Sequence, residues 1–219
     1  SVLLAFLIPV VVLVFFSLVD VLPTGTDEAV DFLVPGVITL SVMASAMTGL
    51  AIATGFERST GVLTRLAITP LSRRDLIAAK AVAVFAVEVL QIVAVLAVGV
   101  ALGWRPDGGL AIVVVAVLVA TIGFAGIGLL MAGTLPALTT LALANAVHVV
   151  LLFLGGVIVP IDDMPLVLRV VARALPVGAL SDIAHASLGE ASLPPTTWPV
   201  LIVWAVLAPA LATRLFRWS

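Results

Sequence analysis

Apolar residues in this chain come in blocks of roughly 18–25, each long enough for a helix to cross a hydrocarbon core about 30 Å thick. Short polar or Pro/Gly-rich stretches separate the blocks. Lipid offers no water to backbone N–H and C=O groups, so an open segment must close its hydrogen bonds within itself, as a helix does. Runs rich in β-branched residues, such as 112–119, are read as helix for the same reason. With 63% hydrophobic and 10% charged residues, the chain lies far from soluble domains, which carry about 25% charged residues. The expected fold is all-α: one polytopic transmembrane domain over residues 1–219, with spans at 2–19, 32–53, 76–102, 110–133, 139–159 and 198–215.

Lysine and arginine concentrate on the cytoplasmic side of membrane proteins. With the N-terminus inside, the loop between the second and third spans holds Arg58, Arg65, Arg73, Arg74 and Lys80, and the C-terminus adds Arg214 and Arg217. The other side keeps only Arg105, Arg169 and Arg173. Both termini are therefore expected in the cytoplasm. The chain starts at Ser1 and is apolar at once, without the basic region of a signal peptide. A genuine span is expected there, preceded in the longer protein by a short cytoplasmic segment. The connection 160–199 is far longer than usual. Within it Val167, Leu168, Val171, Ala174 and Leu175 form one stripe, with Arg169 and Arg173 on another face. Pro165 and Pro176 bound the stripe, so a short amphipathic helix at the outer interface is expected. Trp104, Trp198 and Trp218 stand at predicted span ends, as interfacial anchors do.

The polar stretch 54–80 holds half of the ten basic residues. Thr54 followed by Glu57 fits a capping pattern, so a helix is expected to start there and to stop at Pro70. Ser72 and Asp75 repeat the pattern and are expected to open the third span. Physically this segment is either a surface helix bound to anionic headgroups or a docking helix for a cytoplasmic partner. Within the spans, Glu88 and His148 are the costly residues, and such groups are often functional. Helix rise sets Glu88 about 12 Å past Lys80 and His148 about 13 Å past Thr139, at similar depth. Gln91 and Asn145 flank them at three-residue spacing. The four residues read as a polar cluster joining helices, a lining of a substrate path or dimer interface, or a proton relay in which Glu88 and His148 touch. Gly123, Gly126 and Gly128, with Gly155 and Gly156, permit close helix approach.

Glu57-Arg58, then Gly61-Val62-Leu63, Leu66, Thr69-Pro70-Leu71-Ser72 and Lys80 resemble the signature of the ABC type-2 transporter permeases, the membrane subunits of the daunorubicin-resistance kind. That signature reads approximately E-R-x-x-G-T-L-E-x-L-x-x-T-P-L-S, with a lysine just inside the third span. Asp31-Phe32-Leu33-Val34-Pro35-Gly36 resembles the F-x-x-P-G start of the family's second span. Gly155-Gly156-Val157-Ile158-Val159-Pro160, with Met164-Pro165 and Leu175-Pro176, is similar to the region after its fifth. Val62, Thr64 and His185 depart from the pattern, standing where threonine, glutamate and arginine are common.

The resemblance implies a six-span permease paired with a second copy or a paralogue and with two cytoplasmic ABC ATPases. It would export a hydrophobic compound, drug or lipid-like molecule across a bacterial plasma membrane. The coupling helix would lie about 57–69. Its ATPase-coupling residues would be Glu57, Arg58, Gly61, Leu63, Arg65, Leu66, Thr69, Pro70, Leu71 and Ser72. The chain has no G-x-x-x-x-G-K-[ST], so ATP and magnesium would sit on the partner ATPase. No cofactor is expected in this chain.

Two other classes compete. A stand-alone secondary transporter would use Glu88 and His148 for proton coupling, but the halves show no internal repeat. A membrane enzyme would need paired acids, H-E-x-x-H or G-x-S-x-G, and none occurs. With no cysteine, thiol chemistry and disulfides are absent, and no basic patch interleaved with aromatics points to nucleic acid.

Overall fold

The computed structural model describes residues 2–18, 29–62, 65, 73–106, 108–157, 159–189 and 191–216. Helices α1 (Val2–Leu18), α2 (Ala29–Ser59), α3 (Arg73–Ala101), α4 (Leu110–Thr134) and α5 (Ala137–Leu154) come first. A 3-10 turn (Ile161–Asp163), α6 (Leu166–Ala174), α7 (Pro176–Leu188) and α8 (Thr197–Leu215) follow. Among the described residues there is no strand, and five helices are long and apolar enough to cross a membrane: α2, α3 over Ala78–Ala101, α4, α5 and α8. Their outward faces are greasy. Val82, Val93, Ile122, Leu138, Phe153, Val203 and Val206 all stand exposed. Water would not tolerate so large an apolar surface, whereas lipid covers it without cost.

α4 is the centre of the bundle, touching α2, α3, α5, α7 and most extensively α8. Glycines set that contact. A methyl built on Gly126 would fall 2.4 Å from the Pro209 nitrogen, and one on Gly128 2.6 Å from the Met47 carbonyl oxygen. The proline nitrogen carries no hydrogen to hold Gly126 off. Phe124 of α4 is fully buried, as are Ile38, Met43 and Met47 of α2 and Leu201 of α8, helices that pack against α4.

α2 departs from expectation. It runs on past residue 53, and Thr54 lies inside it, buried, without opening a new helix. A Thr-x-x-acid pattern caps a chain only where no helix is already running, and here one is. Residues Met43–Gly49 wind as a π-helix, with the Leu50 N–H reaching back to the Ser45 carbonyl. From Phe32 to Val42 every residue is buried, under α1, α3 and α7.

α5 is shorter than expected. It ends at Leu154, because Gly156 adopts a left-handed φ of +68° that other residues rarely take. The amphipathic helix is present as α6, with Val167, Leu168 and Val171 facing outward. Arg173 donates to Asp162 Oδ1 at 2.7 Å and faces Asp182 at 3.8 Å, while Arg169 donates to the Asp162 and Met164 carbonyls. Leu175 is extended and closes α6. Pro176 then opens a further helix, α7, which the sequence reading lacked. Trp104 is 2% exposed and packs beside Gly99, so it is a core residue, not an interface anchor. Trp198 is half-buried, and Trp218 lies outside the described residues.

α7 buries Val177, Leu180, Ile183 and Leu188 and takes two titratable residues with it. Burial pushes Asp182 up to about 6, against the lowering effect of Arg173 and with Asp162 adding to the rise. Burial lowers His185, against the raising effect of its bonds to the Ser181 and Phe32 carbonyls. A raised carboxylate stabilises the fold fully below its unfolded value near 3.8, and that stability is lost as pH rises through about 6. The melting temperature of the wild type should therefore fall relative to Asp182→Asn between about pH 4 and pH 7. A difference that stays flat across that window would refute the assignment.

Candidate functional site

The loop-side end of α2 carries the first half of the site. Glu57 and Arg58 are adjacent, so they point about 100° apart. Glu57 pairs with Lys80 of α3, and their side chains are 38% and 14% exposed. Arg58 Nη2 donates to the Leu135 carbonyl at 2.6 Å, in the turn between α4 and α5. That carbonyl closes a helix whose last acceptors lack intrahelical donors, and a cation suits the negative end of the helix dipole. Gly55 of α2 faces α5, where an added methyl would be in ordinary contact, 3.4 Å from Thr140 Cβ.

Beyond Ser59 the chain turns. Gly61 is left-handed with φ +74°, and its carbonyl accepts the Arg65 N–H at 3.1 Å. Val62 and Arg65 have helical backbone, and both side chains are exposed. Helical backbone is thus found at Val62 and Arg65, after Gly61, and no helix starts at Thr54. Leu63, Leu66, Thr69, Pro70, Leu71 and Ser72 lie outside the described residues.

The second half of the site lies within the bundle, around the π segment of α2. Ser45 donates to Gln91 Oε1 of α3 at 2.8 Å, and Thr48 Oγ1 lies 3.2 Å from His148 Nδ1 of α5. In an α-helix, residues three apart share a face. The wider winding of i→i+5 bonds, about 4.4 residues per turn, separates them by about 115°. One short segment thereby reaches two neighbours in different directions.

Glu88 is fully buried and meets the Thr121 hydroxyl of α4 at 2.6 Å, and its Oε1 has no hydrogen-bond partner among the described residues. Glu88 and His148 are thus held by different residues, on different helices, and form no direct pair. Asn145 is exposed and donates to the Leu141 carbonyl of its own helix at 2.8 Å, so it is no companion of His148. The bundle therefore brings Glu88 and Gln91 together with Thr121 and Ser45, and His148 with Thr48.

Sequence reasoning missed Ser45, Thr48 and Thr121. Hydroxyls in apolar spans ordinarily bond back to the carbonyl four residues earlier, as Thr39 and Ser41 do here, and Thr121 Oγ1 lies 2.8 Å from the Val117 carbonyl as well as meeting Glu88. Nothing in the sequence tells which hydroxyls also reach a second helix. It also missed the mooring of α7. His185 Nε2 lies 3.0 Å from the Phe32 carbonyl, and the two rings meet at a 39° tilt with centroids 4.7 Å apart.

The pattern of one protein family, described as ABC-2 type transporter, matches residues 1–186. Two similar chains are each named "Probable multidrug ABC transporter permease YbhR", from Escherichia coli strain K12 and from Escherichia coli O157:H7. Each is 27% identical over 192 residues, which make up 85% of this chain and 52% of the relative. The chain thus spans about half the length of the curated relatives that it matches.

Proposed function

The chain belongs to the ABC-2 type transporter family, and on that premise we propose that it is the membrane permease of an ATP-driven exporter. The observation that carries the reading is the loop end of α2, where the last turn of a span is tied to α3 and to the α4–α5 turn and the chain then presents the exposed Arg65. A lipid-binding surface helix has no need of such ties, whereas a lever driven by a cytoplasmic ATPase does.

In this reading α1 is the sixth span, its 17 residues covering about 26 Å. Loop charge sets both termini and the 60–72 loop in the cytoplasm. Two permease copies, or this chain and a paralogue, work with two ABC ATPases that bind ATP and magnesium. The apolar interior suits a hydrophobic drug or lipid-like compound, in keeping with the multidrug wording in the relatives' name. The proton-coupled alternative gains nothing from the fold, because Glu88 and His148 each hold a different partner.

Co-purification with a P-loop ATPase, with permease-dependent ATP turnover, is the expected result. Arg65→Glu should weaken that association about tenfold or more, as reversal of a charge at a docking contact does. Unchanged association together with weaker binding to anionic vesicles would favour the surface-helix reading. Full transport with no ATPase present would overturn the proposal.

A further inference from the structure

We propose that Glu57 and Arg58 are positioning residues inside the permease and not part of its ATPase contact. Together they form a bracket that makes α2, α3 and the α4–α5 turn move as one. The inference rests on the exporter reading for its meaning in transport, but the bracket stands on geometry alone. Two adjacent residues on the last turn of α2 reach in different directions, Glu57 to Lys80 on α3 and Arg58 to the Leu135 carbonyl. Thr140 of α5 lies close to the same carbonyl, its Oγ1 at 3.4 Å, and the bare face of Gly55 is seated on Thr140.

The end of α2 is therefore fixed on two sides at once. Neither charge is left without a partner inside the permease. The Glu57 carboxylate, 38% exposed, is engaged by a largely covered Lys80, and the Arg58 guanidinium is turned to the inter-helix turn. The first described side chains beyond the left-handed Gly61, Val62 and Arg65, do stand exposed. Gly61 thus divides the stretch into an inner bracket and an outer surface. A push on the outer surface reaches α3 through an ion pair and the α4–α5 turn through a charge-assisted hydrogen bond.

The test uses the full permease with the P-loop ATPase that co-purifies with it. The variants are Glu57→Gln, Lys80→Gln, the exchange Glu57→Lys with Lys80→Glu, Arg58→Ala and Arg58→Lys. The single variants Glu57→Gln and Arg58→Ala should retain the ATPase at wild-type stoichiometry. The permease-dependent increase in ATP turnover should nevertheless fall about tenfold, a loss of coupling without loss of binding. The charge exchange should recover most of that turnover, and Arg58→Lys part of it. In the purified permease alone, the melting deficits of Glu57→Gln and Lys80→Gln should fail to add, as they do for residues in contact.

Release of the ATPase by Glu57→Gln would overturn the proposal, because Glu57 would then be a docking contact. An exchange no better than the single variants would overturn it too, as would additive melting deficits. If the wild type associates with no ATPase, the exporter reading falls. The melting cycle still decides whether the bracket exists.

Discussion

Gly126→Leu should yield a chain that inserts in the membrane but cannot be purified as a monodisperse folded protein, and Gly126→Ala should melt well below the wild type. The atoms in the way are backbone atoms. A methyl at this position would lie 2.4 Å from the Pro209 nitrogen and 2.6 Å from the Ala208 carbonyl carbon, so no side-chain rotation relieves the clash. α4 cannot retreat either. Gly126 and Gly128 lie about 200° apart on the helix, on opposite faces. Movement away from α8 drives Gly128 against the Met47 carbonyl of α2. Overpacking of this kind costs about 1–3 kcal/mol or more, a large share of the stability of an ordinary domain. Gly123, one turn away, is the control. Its nearest neighbour would be the Ala205 nitrogen at 3.4 Å, an ordinary contact, so Gly123→Ala should melt close to the wild type. Equal effects at the two glycines, measured as melting temperature in one detergent, would show that α4 and α8 do not meet as described.

Deletion of Ala44 is expected to leave the amount of protein in the membrane unchanged and, on the proposed exporter reading, to reduce its stimulation of ATP turnover by about tenfold or more. A π turn is an α-helix that carries one surplus residue. Removing that residue lets Met43–Gly49 rewind as α-helix. Ser45 and Thr48 would then lie only about 60° apart, and they could no longer serve both Gln91 on α3 and His148 on α5. Each hydrogen bond between membrane helices is worth about 0.6–2 kcal/mol, so the bundle survives while its cross-ties do not. Thr48→Val supplies the decisive comparison. Alone it should lower the melting temperature, whereas added to the deletion it should lower it no further. If Thr48→Val costs as much in the deleted chain as in the wild type, the winding is not what aims these hydroxyls.

Hydropathy made the spans legible, because lipid imposes one requirement on every residue of a crossing helix. The same logic hid α7. Its Ser181, Asp182, His185 and Ser187 keep it below the apolar content of a span, and it buries itself against protein instead of lipid. Pro176 reads equally as a stop and as a start, and the extended Leu175 before it serves both helices. Thr54 misled for a related reason. The capping pattern records which residues can start a helix, and it is blind to a helix already running into Thr54 from the residues before it. The bracket was half visible. The Glu57-Arg58 pair and Lys80 stood out in the sequence, but no periodicity tells that Arg58 is aimed at a carbonyl 77 residues away. The sequence reads Glu88 and His148 at similar depth with Gln91 beside Glu88, but Ser45 and Thr48, the partners of Gln91 and His148, depend on a winding that no local pattern announces.

The burial of α2 from Phe32 to Val42 has a mechanical consequence. That half of the helix is a rod running in a sleeve of protein, with no lipid-facing side along which to swing. Force applied at the Ser59 end can only turn the rod about its axis or slide it lengthwise. The π turn, midway along, is where either displacement can be taken up by rewinding before it reaches the sheathed half.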